Sequence, residues 1–422
     1  MSSQQRPSAA PAPLPQVDIK PLLARLWPLG HVDPVTADEI AEAISYCFTN
    51  QVSEVQAGSL LMCLHFTGLD RHADVLAKTA AAMLKSAAQI DSDELRSVVE
   101  ARGRKEGAYE GGLCDIVGTG GDSHNTFNIS TTSSILASSL LILSKHGNKA
   151  STSKSGSADL LANMLPLAPQ ISRVRPDTIA SLYSKTNYAF LFAPVFHPGM
   201  RHVAPIRRQL PWRTVFNLVG PLANPVDLVS SSKPSLLEAR MIGVARKDLG
   251  PVFAEALKLG GARKAMVVCG DEELDEISCA GNTLCWRLVP SSVGGEPSVE
   301  HFLLHPADFG LPAHPLSTVS PGKEPSENAA ILARILNNEM PEDDPILHFV
   351  LVNTAALFVV SGICEAETSD MGFGDDGVVV TERGPGGGRW KEGVRRARWA
   401  IRSGEAARQW AGFVEATNSF SE

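Results

Sequence analysis

The chain is 422 residues long, with 44% hydrophobic residues, 20% charged residues and a formal charge of −8. That length supports two or three domains and a core large enough to need neither disulfides nor a structural metal. The acidic balance argues against general affinity for nucleic acid or anionic membranes, so an anionic ligand requires a local site.

Residues 1–17, rich in Ser, Gln, Ala and Pro, are expected to be a disordered, untargeted tail. From 18 to 104 the pattern is helical throughout. Thr36 with Glu39 forms a capping box ahead of Ile40, Ala43, Ile44, Cys47 and Phe48, which share one helical face. Ser53 with Gln56 repeats the pattern, and Asp70 is expected to cap a third helix carrying Val75, Leu76, Ala80 and Leu84.

Beyond the Gly-rich stretch 103–112 the character changes. Short apolar runs, Leu113–Val117, Leu140–Leu143, Ala189–Phe192 and Ala265–Val268, alternate with helical stretches such as 130–139 and 248–259. This alternation predicts an α/β domain with a largely parallel sheet, whose ligands collect beyond the carboxyl ends of the strands. Three stretches read as insertions or loops: 226–237, 288–327 and 367–389, the last holding the surface glycines of Gly384–Gly388. Two helices, 390–402 and 405–416, close the chain. Seven cysteines without a Cys-x-x-Cys pair read as reduced thiols in a cytoplasmic protein, and no apolar run is long enough to span a membrane.

Four segments carry chemistry. Asp115-Ile-Val-Gly-Thr-Gly-Gly-Asp122 runs from a strand into a Gly-rich turn whose amides can approach an anion, and Asn128-Ile-Ser-Thr131 opens a helix whose free N–H groups suit phosphate. Lys145-His-Gly-Asn148, continuing to Asp159, adds hydroxyls, Lys149 and Lys154, a second phosphate-binding surface. Asp275-Glu276 lies among five carboxylates within six residues, either a solvated loop or a magnesium site completed by substrate phosphates. Finally, Arg201, Arg207, Arg208 and Arg213 follow His197, and a planar guanidinium can grip a carboxylate at two points.

Together with Phe190-Leu-Phe-Ala-Pro194 and the Val215–Pro225 run, these motifs occur in the order found in anthranilate phosphoribosyltransferases, and the chain is similar to that family from about 20 to 415. The resemblance implies a helical domain, 18–104 plus about 198–222, hinged to an α/β domain, 105–197 plus 223–418. It also implies a homodimer paired through the helical domains. Phosphoribosyl pyrophosphate would be held by Gly118, Thr119, Gly121, Asp122, Thr126, Asn128, Ile129, Ser130 and Thr131. The segment Lys145, His146, Gly147, Asn148, Lys149, Ala150, Ser151, Thr152 and Ser153, with Ser157, would complete that cradle. Ser130 and Glu276 would ligate one magnesium, and Asp275 with Glu276 a second. Asn148 and Arg207 would orient anthranilate, with Arg207 preferred over Arg208; Lys145, Arg207 and Asp122 carry the catalytic expectation.

The chain departs from the family pattern at Cys269, where His is expected, at Glu272-Glu273, at Lys149 in place of Arg, and at Leu141 in place of Gly. Two rival readings stand beside the main one. A pyrimidine nucleoside phosphorylase shares the fold and a Lys-His-Gly-Asn segment, but has less use for an Asp-Glu pair. A non-catalytic nucleic-acid-binding relative should be basic, whereas this chain is acidic.

Overall fold

The computed structural model describes residues 14–28, 33–124, 126–150, 154–227, 234–290, 296–319 and 324–421. The chain begins with five helices: α1 (Lys20–Leu26), α2 (Ala37–Phe48), α3 (Glu54–Thr67), α4 (Ala73–Lys85) and α5 (Ser92–Arg102). The Thr36–Glu39 capping box forms in full, and Ser53 caps α3 through the Gln56 amide. Asp70 does not cap α4. It lies in a single 3-10 turn, Leu69–Arg71, buried against His65 and Arg71, and His72 takes the cap position. Of the expected tail, residues 1–13 lie outside the described residues; the Val17 amide donates to the Gln51 carbonyl at 2.7 Å, so order begins before residue 18.

There follow β1 (Leu113–Gly118), α6 (Ile129–Ala137), β2 (Ile142–Gly147), α7 (Ser157–Ala162), α8 (Ile179–Tyr183), β3 (Tyr188–Phe192) and α9 (Ala193–Phe196). Next come α10 (Met200–Arg208), α11 (Phe216–Val219), β4 (Leu237–Gly243), α12 (Leu249–Leu259), β5 (Lys264–Gly270), β6 (Thr283–Val289) and β7 (Ser298–Leu304). Four helices complete the chain: α13 (Pro325–Leu336), α14 (Pro345–Ser361), α15 (Trp390–Arg402) and α16 (Glu405–Ser419). The strands form one sheet in the order β3-β2-β1-β4-β5-β6-β7. Its first five strands are parallel, and β6 and β7 extend it antiparallel. Strand order reverses between β1 and β4, which opens a crevice at their carboxyl ends.

Alternation along the strands serves two cores. Met241, Met266 and Val268 join a core with α6, α14, α15 and α16, whereas Ile242, Val267 and Cys269 join one with α2, α3, α4, α10 and α12. The helical bundle therefore lies on one side of the sheet, where α4 packs on α12 and α12 on β5 and β6. Helix α14 is apolar on every side because it is enclosed; Leu347 through Ser361 are all buried. No helix among the described residues is long and apolar enough to cross a membrane.

Several segment expectations change. The second strand begins at Ile142 rather than Leu140, because Leu140 and Leu141 belong to the turn closing α6, and parallel pairing with β3 draws Lys145 and His146 into the ladder. The 288–327 stretch contains β7 and the start of α13, and Leu237 begins β4; residues 228–233, 291–295 and 320–323 lie outside the described residues. The 367–389 stretch is irregular, as expected; Gly387 is exposed, whereas Gly384 and Gly388 abut Trp390 and Gly386 abuts Phe302.

Candidate active site

Three parallel strands converge on one cleft. β1 ends in Gly118, where a Cβ would collide with the Asp275 carboxylate. The chain then turns through Gly120 and Gly121 at φ 67° and 81°, a left-handed conformation that side chains disfavour. Thr119 anchors this turn: its amide donates to the Gly243 carbonyl at 2.9 Å, and its Oγ1 accepts from the Ala245 amide at 3.2 Å.

Beyond β5 the chain returns with Asp275 and Glu276, only 9% and 8% exposed. Asp275 Oδ2 accepts from the Gly120 amide at 2.6 Å, and Glu276 Oε1 accepts from the Ser130 amide at 3.2 Å, at the first turn of α6. Lys145 on β2 is buried; its Nζ donates to the Ile116 carbonyl at 2.6 Å and to Ser130 Oγ at 3.3 Å. Ser130 thus stands between the acidic pair and the lysine.

The electrostatics are those of a site short of positive charge. Burial and the neighbouring Asp122 push the Asp275 carboxyl up to about 7, and burial beside Asp275 raises Glu276 well above the carboxylate range. Burial lowers Lys145, opposed chiefly by Asp115 and then by Glu276. Among the described residues no three His, Cys, Asp or Glu side chains form a ready-made metal cage. Magnesium does not require one, since it takes one or two carboxylates together with phosphate oxygens and water. Two crowded carboxylates beside the Ser130 hydroxyl are an all-oxygen donor set of that kind, and a cation there would offset the burial and the crowding that raise both groups.

The remaining expected residues divide by what they offer. Thr126, Asn128 and Ser157 are partly buried near the cleft mouth, and Asn128 Nδ2 donates to the Ser155 carbonyl at 2.9 Å. Ile129 and Thr131 turn their side chains inward, so their offering to a ligand is backbone. Asn148 and Lys149 are exposed, and the amides of Ala150 and Gly156 donate to Asp159 Oδ2, which holds this loop in shape. Gly147 packs so closely against Phe190 that a Cβ would clash. Ser151, Thr152 and Ser153 lie outside the described residues. Asp122 accepts the His124 amide at 3.2 Å. His146 is buried against His197 with ring centroids 5.1 Å apart, and the His197 Nε2 meets the Ala223 carbonyl at 3.0 Å.

Arg207 is half-buried with its guanidinium over the Phe216 ring at 5.9 Å, while Arg208 is exposed. Arg213, which motif reading placed only within a basic stretch, enters the cleft and contacts the Gly-rich turn at two carbonyls. Asn224 has no motif of its own either. Wholly buried, it donates to Asp115 Oδ2 and to the Ser144 carbonyl, both at 2.8 Å, tying β1 to β2. Its signal in the sequence was only its place in a Pro-flanked run.

Comparison with known proteins agrees with this geometry. Residues 110–407 match the model for the glycosyl transferase family a/b domain, and residues 20–87 match that for the helical bundle domain of the same family. The anthranilate phosphoribosyltransferase of Schizosaccharomyces pombe is 39% identical over 387 residues, 91% of this chain and 94% of that protein. The solved structure of the Saccharomyces cerevisiae anthranilate phosphoribosyltransferase with phosphoribosyl pyrophosphate and magnesium superposes with a TM-score of 0.74 at 31% identity, covering 94% of this chain and 97% of that one. The same yeast enzyme in complex with 4-fluoroanthranilate gives 0.72 at 29% identity, covering 94% and 96%. The chain therefore belongs to the anthranilate phosphoribosyltransferase family of glycosyl transferases.

Proposed function

We propose that the protein transfers the 5-phosphoribosyl group of phosphoribosyl pyrophosphate to the amine of anthranilate, giving N-(5-phosphoribosyl)anthranilate and pyrophosphate in tryptophan biosynthesis. The carrying observation is the convergence of the Gly118–Asp122 turn, the α6 start at Ser130, buried Lys145 and the Asp275–Glu276 pair at one crevice. The yeast relative whose structure contains phosphoribosyl pyrophosphate and magnesium supports the same donor and cofactor. In this reading Ser130 and Glu276 hold one magnesium, and Asp275 with Glu276 a second.

The amine of anthranilate is neutral at pH 7 and needs no strong base, so the barrier lies in breaking the C1–O bond to pyrophosphate. Lys145 and the Gly121 amide of the Gly-rich turn, which no protein acceptor among the described residues takes, face the charge that departs. Bound magnesium supplies further stabilisation of that charge. Arg207 takes the anthranilate carboxylate; it is half-buried over Phe216, whereas Arg208 points to solvent. Asn148 and the Lys145–Ser157 segment complete the donor cradle, and attack from the opposite face inverts the anomeric carbon.

The division into a helical domain, 18–104 plus about 198–222, and an α/β domain suits this reading, because α10 packs on α2 and α3. Val55, Met62 and Phe66 form an exposed apolar stripe on α3, which supports homodimer pairing through the helical domain. Seven free thiols suit a cytoplasmic setting. The test is direct: with phosphoribosyl pyrophosphate, magnesium and anthranilate, the protein should consume anthranilate fluorescence. Absence of turnover sinks the reading.

A further inference from the structure

We propose that Arg213 is a positioning residue that aims the amides of the Gly118–Asp122 turn at the phosphate-bearing substrate; this rests on the phosphoribosyl-transfer reading above. Arg213 Nη2 donates to the Thr119 carbonyl at 2.9 Å and Nη1 to the Gly120 carbonyl at 2.6 Å. One guanidinium therefore holds two successive peptide oxygens, a two-point grip that a lysine cannot reproduce.

A trans peptide is planar, with its N–H and C=O pointing in opposite directions, so fixing the oxygen fixes the direction of the N–H. The peptide joining Thr119 to Gly120 is held at both ends: its oxygen by Arg213 and its N–H by Asp275 Oδ2 at 2.6 Å. The next peptide has its oxygen on Arg213, and its Gly121 N–H meets no protein acceptor among the described residues. That amide is left free for an anion. Glycine is required beside this grip, since a Cβ on Gly121 would collide with Arg213 Nη1.

The placement also links two parts of the cleft. Arg213 follows α10, which carries Arg207 on the anthranilate side, and the opposite charges that act on it are Asp275 and Asp122. A single side chain thus reaches from the acceptor side to the loop proposed to receive the donor's phosphates. Its guanidinium is not the phosphate ligand in this arrangement; it acts through the turn.

Hydrogen exchange of the ligand-free protein provides the test. Arg213→Ala should speed exchange in the peptide spanning 118–122 without lowering the thermal midpoint. It should also raise KM for phosphoribosyl pyrophosphate about tenfold, as expected for losing charge-assisted hydrogen bonds, with KM for anthranilate nearly unchanged. Arg213→Lys keeps the charge but should recover only part of the loss. Unchanged exchange in Arg213→Ala, or full recovery by Arg213→Lys, overturns the proposal. If the wild-type protein turns nothing over, the functional reading fails by itself. Exchange and calorimetric binding of inorganic pyrophosphate with magnesium then still decide the role of Arg213.

Discussion

Glu392 and Glu276 are carboxylates almost wholly removed from solvent, yet their surroundings treat them oppositely. Glu392, at the start of α15, accepts from Arg396 Nε at 2.7 Å and from Arg395 Nε and Nη2 at 2.8 Å, together with the Val380 amide at 3.0 Å. Arg396 pairs further with Glu106 at 2.7 Å, and Arg395 with Asp375 at 2.9 Å. There every carboxylate has a guanidinium, and hydrogen bonds and Arg395 hold Asp375 down to about 2 against its burial. Glu276 instead has one amide at 3.2 Å and an adjacent acid, and the Asp275 beside it rises to about 7. The first cluster is complete within the protein and fastens the 367–389 segment to α15. The second keeps two crowded carboxylates without a guanidinium hydrogen bond, the kind of perturbed pair that marks a candidate binding site.

Three measurements bear on that contrast. The largest effect is expected from Asp275→Ala combined with Glu276→Ala. Turnover at limiting magnesium should fall on the order of 10³-fold, because charge stabilisation at the leaving group is lost. Thermal stability of the ligand-free protein should not fall, since two repelling buried carboxylates are removed; full activity in this variant would undo the metal assignment. Glu392→Gln should do the reverse. It weakens the charge-assisted hydrogen bonds of two guanidinium groups that keep Glu106 and Asp375 as partners, and should cost about 3 kcal/mol in denaturant melts, with kcat per folded molecule unchanged. A melt that shows no loss would mean the arginines find other partners.

The smallest effect concerns acid. Burial lowers His197 to about 4 from the usual 6.5, so below pH 6.5 the unfolded chain takes up a proton that the native one refuses. Its contribution is fully present above pH 6.5 and declines as pH falls toward 4, by about 3 kcal/mol in all. Asp375 works in the same sense but in a more acid window, since its depressed value keeps its contribution until pH falls from 3.8 through about 2. Stability of His197→Gln, measured from pH 7 to 4, should therefore fall less steeply than wild type. Parallel curves would show that the burial of His197 does not contribute to the acid sensitivity.

Much of the site was legible because its signals are local. A glycine needed at positive φ, a polar helix start and an acidic pair each leave a short pattern, and Gly120, Gly121, Ser130, Asp275 and Glu276 do come together. Elements without a local signature were missed. Helix α14 has no polar face to reveal its period, because it is enclosed by the sheet, α6 and α15. β7 was hidden within a Pro-rich stretch, and β4 began at what read as the end of an insertion. By sequence Asp70 reads as a helix cap because acidic residues favour such positions, but its carboxylate is committed to His65 and Arg71.

Length and charge, with the order and spacing of the motifs, determined the helical-then-α/β plan, the need for a local anion site and the residue types that build it. Only the tertiary structure decided how those residues are used. Parallel pairing carried Lys145 into a strand below Ser130, and the reversal of strand order between β1 and β4 brought Asp275 against Gly118 and Gly120. Packing of the α10–α11 segment over the turn gave Arg213 a role that no spacing rule could assign, because its partners Thr119 and Gly120 lie some ninety residues away. Such contacts are set by how the layers stack, and sequence patterns record only what a residue needs from its near neighbours.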